Sequence, residues 1–134
     1  AFSKKEFAYS KQLGIPHHAI HQILVVSNPN LRILYSNCLA LLIPSIYEGF
    51  GLPAAEAARC GALVLSARGS ALDEIVGETD FSFDLAREKE PSRLLALGLE
   101  TAFAESERTR LKSRSEKFNW HASTDKLMEI YNEI

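Results

Sequence analysis

Between Leu39 and Gly61 the chain runs through an unbroken apolar stretch, a loop with two glycines, and an alanine-rich segment closed by a third glycine. Few folds accept that order. Leu39-Ala40-Leu41-Leu42-Ile43 is short, apolar and uncharged, the pattern of a buried strand. The stretch from Pro44 to Leu52 holds Gly49 and Gly51 and reads as a loop. Pro53 suits the first turn of a helix, where its missing N–H would be unsatisfied anyway. Ala54, Ala55, Ala57 and Ala58 suit close helix packing, and Gly61 ends the helix. Strand, glycine loop and helix together present backbone N–H groups to a phosphate.

The rest of the chain supplies what such a unit needs. Its 134 residues are enough for one domain, and a domain of that size buries roughly 65–70% of its unfolded surface. An apolar fraction of 46% with 24% charged residues is ordinary for a globular protein. The formal charge of −2 argues against a nucleic-acid partner, which calls for a basic excess. Cys38 and Cys60 sit in apolar contexts and read as small hydrophobes of a reducing compartment, not as a disulfide. No apolar run approaches the ~20 residues of a membrane span. Ala1 to Phe7 shows no signal-peptide pattern, and a start without Met fits a processed or a truncated protein alike.

Ser3 and Glu6 form a capping-box pattern for a short helix ending at Gly14. His17, His18 and His21 follow the Ile15-Pro16 break. Imidazole is a common metal ligand, but no Cys or carboxylate stands at ligand spacing, so a surface loop is favoured over a metal site. Ile23-Leu24-Val25-Val26 reads as a first buried strand. Ser27 or Asn28 caps the next helix, with Pro29 in its first turn and Leu31, Leu34, Tyr35 and Cys38 on one face. Ala62 to Ser66 is a third buried strand, after Leu39–Ile43 as the second. Ser70 caps a short helix ending at Gly77, and Phe81-Ser82-Phe83 is a fourth strand. Pro91 starts a helical region with Leu94, Leu95, Leu97, Leu99 and Phe103 on a broad stripe. The charge-dense segment from Glu105 to Lys117 reads as a solvated helix face in preference to a membrane-surface helix. A last helix carries Leu127, Ile130 and Tyr131 on one side. Four strands alternating with helices give an α/β fold, a Rossmann-like doubly wound parallel sheet, with the whole chain (1–134) as one domain.

In such folds ligands sit at the carboxyl ends of the strands, where the loop from Tyr47 to Leu52 lies. Gly49 and Gly51 let the backbone approach a ligand closely. Glu56, set among alanines, calls for a partner, because an unpaired buried carboxylate is costly; ribose hydroxyls supply one. The alternative is that Glu56 only complements the helix dipole. Glu48 beside Gly49 has the corresponding alternative of a solvated loop carboxylate. The stretch from Ser66 to Ser70 is a second candidate ligand loop, with Arg68 either on a phosphate or in solvent.

Pro44-Ser45, Tyr47-Glu48-Gly49-Phe50-Gly51-Leu52-Pro53, Glu56-Ala57 and Cys60-Gly61 together resemble the carboxyl-terminal domain of a retaining GT-B glycosyltransferase of family four, the glycosyl transferases group 1, which includes bacterial mannosyl- and glucosyltransferases. The resemblance runs from about Ile23 to Tyr131 and includes Leu34-Tyr35, Val64, Ser66, Ser70, Leu72, Glu74, Val76-Gly77, Phe83-Asp84 and Phe118-x-Trp120. It implies that Glu48 faces the donor sugar as the catalytic residue. It implies that Glu56 binds ribose and that Gly49, Phe50, Gly51 and Leu52, with Ser66 beyond them, hold the sugar and diphosphate. The implied substrate is a nucleotide diphosphate sugar, transferred with retention to a glycan or lipid-linked acceptor in polysaccharide biosynthesis, with no cofactor and no essential metal. The segment 118–134 becomes a terminal helix crossing back to an amino-terminal acceptor domain, a partner absent from this chain. The implied location is cytoplasmic, with peripheral association of the full enzyme at the inner face of the membrane, and without nucleic acid.

Three departures accompany the match. Leu72-Asp73-Glu74 stands where the family has Leu-Pro-Glu, and Gly77-Glu78-Thr79 where it has Gly-Asp-Ala. Nothing before Ile23 matches the family's Arg…Lys diphosphate pair. The isolated chain is therefore expected to be inactive. A non-catalytic nucleotide-sugar-binding or interaction module of the same fold is the competing reading, and another GT-B enzyme such as a sugar epimerase is a third.

Overall fold

A computed structural model describes residues 3–77, 81–87, 89–97 and 100–133, without the side chains of 101–103. The contacts divide the chain into two compact units, one ending at Leu31 and one beginning at Arg32.

In the first unit, helix α1 (Lys4–Gln12) carries the capping box read from the sequence. Ser3 Oγ accepts from the Glu6 N–H at 3.3 Å, and the Glu6 carboxylate accepts from the Ser3 N–H at 2.6 Å. That backbone bond, joined by the Ser3 hydroxyl, holds the Glu6 carboxyl below the usual carboxylate range. His17–Ala19 form a single 3-10 turn, and His17 stacks on Phe7 with ring centroids 5.1 Å apart. The strand expected at Ile23–Val26 does not form. Those residues join no ladder among the described residues, and Leu24 and Val25 are 74% and 91% exposed. Apolar, β-branched composition favours a strand only where a neighbouring ladder takes up the backbone N–H and C=O groups.

Helix α2 (Asn28–Asn37) follows, with Pro29 as its second residue. The second unit is built on three parallel strands, β1 (Ala40–Ile43), β2 (Leu63–Ala67) and β3 (Ser82–Phe83), in the order β1-β2-β3. Among the described residues three strands thus stand where the sequence suggested four. Helix α3 (Leu52–Arg59) connects β1 to β2, and α4 (Leu72–Val76) lies between β2 and β3. Helices α5 (Glu90–Leu97), α6 (Thr101–Ser115) and α7 (Trp120–Asn132) complete it. The helical region after Pro91 is therefore two helices; Leu99 and the Phe103 side chain lie outside the described residues.

Every residue of β2 is buried. Successive strand side chains point to opposite faces, so both faces of β2 are covered, as a parallel sheet flanked by helices requires. The expectation of full burial fails for β1, where only Ile43 is buried and Leu42 is 52% exposed. As an edge strand it has one ladder neighbour and less cover. Phe81, Phe83, Leu72, Ile75, Leu94 and Leu111 close the core around β2.

The reading of Glu105–Lys117 as a solvated face also needs correction. Arg108 donates to the Gly61 carbonyl at 2.7 Å and the Leu39 carbonyl at 2.5 Å. Arg110 donates to the Val76 carbonyl at 2.8 Å and grips the buried Glu107 with two bonds of 2.7 and 2.6 Å. Arg114 donates to the carbonyls of Glu74 and Ile75. Helix α6 thus pins the entry of β1 and the carboxyl-terminal ends of α3 and α4, where helices leave carbonyls without intrahelical partners. A guanidinium serves because it offers several donors in a fixed fork.

Candidate functional site

The loop between β1 and α3 is shaped at Gly51. This residue takes φ +85° and ψ +43°, left-handed geometry that other residues enter at a cost of roughly 1–2 kcal/mol. A Cβ there would also lie 2.6 Å from Leu72 Cδ2. The backbone therefore packs directly on α4, and Gly51 is buried while Gly49 is exposed. The Gly51 carbonyl starts α3 by accepting from the N–H groups of Ala54 (2.9 Å) and Ala55 (3.2 Å). Pro53 has no N–H to offer. The N–H groups of Gly49, Phe50 and Leu52, all on exposed residues, have no acceptor among the described residues. This is the helix start at the carboxyl end of β1 where anions are favoured.

Glu48 is half-buried and Phe50 and Leu52 are about half exposed, at 48% and 54%. Glu56 is exposed, not enclosed among the alanines. Ala54, Ala57 and Ala58 occupy the buried face of α3, and one residue along the helical wheel carries Glu56 out of it. The burial argument for a partner therefore does not apply. The Tyr35 phenol is pushed above its ordinary pKa first by burial and then by the negative charge of Glu56. Tyr35 entered the sequence reading as part of an apolar helix face and of the family resemblance, and nothing in its spacing marks it as a neighbour of Glu56.

Ser66 is fully buried, with no hydrogen-bond partner for its hydroxyl among the described residues. Its register partner on β3 is Ser82, 4% exposed and likewise unpartnered. Two adjacent orphan hydroxyls at the end of the sheet are unusual, because buried polar groups are generally paired. In the second candidate loop the groups are already engaged. The Gly69 N–H donates to Asp73 Oδ2 at 2.8 Å, and Ser70 Oγ accepts from the Leu72 N–H at 3.3 Å. Arg68 is exposed. Among the described residues no three His, Cys, Asp or Glu side chains gather as metal ligands would, and His17, His18 and His21 are exposed. An open depression at the start of α5, lined by Ala86, Arg87, Lys89, Glu90 and Arg93, involves none of these residues.

The sequence reading missed Phe118 as a neighbour of this loop. Its ring meets that of Phe50 edge-on, with centroids 5.7 Å apart and planes at 87°. No helix of the described residues is long and apolar enough to cross a membrane.

The sequence model of the family described as "Glycosyl transferases group 1" matches residues 2–118. The chain is 33% identical over 96 residues to the serotype-specific mannosyltransferase WbdA of Escherichia coli, covering 71% of this chain and 12% of that protein. It is 39% identical over 66 residues to the MMP alpha-(1->4)-mannosyltransferase of Mycolicibacterium hassiacum, covering 49% of this chain and 16% of that protein. To the O-antigen chain mannosyltransferase B of Escherichia coli it is 29% identical over 107 residues, covering 79% of this chain and 28% of that protein. The match thus spans between 12% and 28% of the length of these relatives.

Proposed function

The chain belongs to the glycosyl transferases group 1 family, and on that premise we propose that it is the donor-binding domain of a retaining glycosyltransferase. The observation that carries this reading is the start of α3. There Gly51 bends the chain, Pro53 leaves no competing N–H, and the N–H groups of Gly49, Phe50 and Leu52 have no acceptor among the described residues. A nucleotide diphosphate sugar places its diphosphate against these donors and the positive end of the helix dipole. Departure of the nucleotide diphosphate leaves negative charge, and donors fixed before the reaction stabilise it where it develops. Glu48, half-buried at the loop start, faces the donor sugar; Glu56, exposed one turn into α3, accepts from ribose hydroxyls. Ser66, buried near the carboxyl end of β2 in register with Ile43 of β1, is assigned to the same site.

A mannosyl donor is the first choice, because three relatives carry mannosyltransferase names. The acceptor is a glycan or a lipid-linked saccharide, as the O-antigen name of one relative suggests. The full enzyme works at the cytoplasmic side, brings an acceptor-binding domain, and has α7 crossing to it; the chain alone is inactive, and no essential metal is assigned.

Calorimetric titration of the chain with UDP, GDP and ADP tests the reading. One nucleotide is expected to bind, and Glu56→Gln is expected to weaken that binding by roughly 1–3 kcal/mol, the scale of a hydrogen bond to a charged group. Unchanged affinity in Glu56→Gln would refute the ribose assignment. In a longer protein that joins this chain to an acceptor domain, Glu48→Ala should reduce sugar transfer far more than nucleotide affinity. Equal losses in both would reduce Glu48 to a binding role.

A further inference from the structure

We infer that Phe118 is a positioning residue for the glycine loop, holding Phe50 and with it the N–H groups that precede α3. The inference takes the donor-site reading above as the purpose of the loop. Phe50 is half exposed, and its neighbours Ile46 and Tyr47 are each 82% exposed. The loop therefore has little core of its own, although Gly51 seats its end on Leu72 and Ile75. The ring contact with Phe118 ties Phe50 to the rest of the unit.

Phe118 is well placed to serve as an anchor. It packs partly buried against the hydrophobic core, and its N–H donates to the Ser115 carbonyl at 3.1 Å. Ser115 is itself buried, with its hydroxyl donating to the Lys112 carbonyl at 2.7 Å. The ammonium of Lys117 lies 5.0 Å from the Phe118 ring centroid, a cation–π contact that adds to the hold. Behind this turn stands α6, fixed by Arg108, Arg110 and Arg114 to backbone carbonyls just before β1, just after α3 and in α4. A continuous set of contacts thus runs from the anchored helix through the turn and the Phe118 ring to Phe50. Perpendicular aromatic pairs are stabilising beyond the area they bury.

Backbone ¹⁵N relaxation and nucleotide titration on the 134-residue chain test this together. In Phe118→Ala the order parameters of Gly49 to Leu52 should fall from near 0.85, the rigid range, toward 0.6 or below, the flexible range. Affinity for the nucleotide that the wild type binds should fall about three- to tenfold, the range an aromatic pair can account for. Phe118→Tyr keeps the ring and should restore both. Unchanged order parameters in Phe118→Ala would overturn the inference. So would an order-parameter loss in Phe118→Tyr equal to that in Phe118→Ala. If Phe118→Ala fails to fold, Phe50→Ala replaces it, since it removes the same contact from the exposed side. Loosening of the loop there supports the inference, and an unchanged loop overturns it. A wild-type chain that binds none of UDP, GDP and ADP, yet loosens as described, would refute the donor-site reading and leave the brace standing.

Discussion

Gly77 adopts φ +77° and ψ 179°, a conformation almost reserved for glycine. A Cβ there would lie 3.0 Å from Arg114 Cζ and 3.3 Å from an Arg110 nitrogen. Gly77→Ala is therefore expected to cost about 1–3 kcal/mol in a urea melt. Combined with Arg114→Ala it should cost less than the sum, because one source of the clash is gone. Ser82 is expected to behave in the opposite direction. Its hydroxyl is buried without a partner among the described residues, so Ser82→Ala should leave stability unchanged or raise it by about 1 kcal/mol, read in the same melt. A loss of that size would reveal a partner for the hydroxyl. Ser66→Ala should share that stability effect, and its nucleotide affinity decides whether the Ser66 hydroxyl also serves the donor.

At the scale of elements, the chain was readable where local chemistry and tertiary demand coincide. The run read as a strand at Ala62–Ser66 became the fully buried β2, shifted by one residue, and Gly51-Leu52-Pro53 became the start of α3. The run Ile23–Val26 is as apolar and forms no strand, because pairing partners leave no mark in a strand's own residues. The exposure of Glu56 was hidden for a related reason: its alanine neighbours suggested enclosure, but the buried stripe of α3 passes beside it. Least legible was α6. A mixed-charge helix looks the same on paper whether its arginines face water or reach the carbonyls of other elements. Arg108, with two such bonds, is the sharpest test. Arg108→Ala should destabilise by about 1–3 kcal/mol in urea denaturation, and Arg108→Lys should recover only part of it, since an ammonium cannot reproduce the fork.

On the scale of the whole second unit, the titratable groups near α2 respond to alkali. Burial pushes the Cys38 thiol above its ordinary pKa, and burial followed by Glu56 does the same to the Tyr35 phenol; Cys60 adds to both shifts. A raised pKa in the folded state means that the unfolded chain loses its proton first. The stability contribution is complete below the unfolded values, about 8.5 for Cys and 10 for Tyr, and is lost as pH rises through the folded ones. Thermal melts should therefore fall across that alkaline range, and Tyr35→Phe should flatten the upper part of the decline. The α6 arginines set a boundary to this effect. A guanidinium keeps its proton throughout that range, and the bond to Glu107 raises the Arg110 pKa further. Alkaline weakening should accordingly begin around Tyr35 and Cys38, while the bonds from α6 to the carbonyls of α4 hold. The unit would then come apart in a fixed order set by which of its bonds depend on a removable proton.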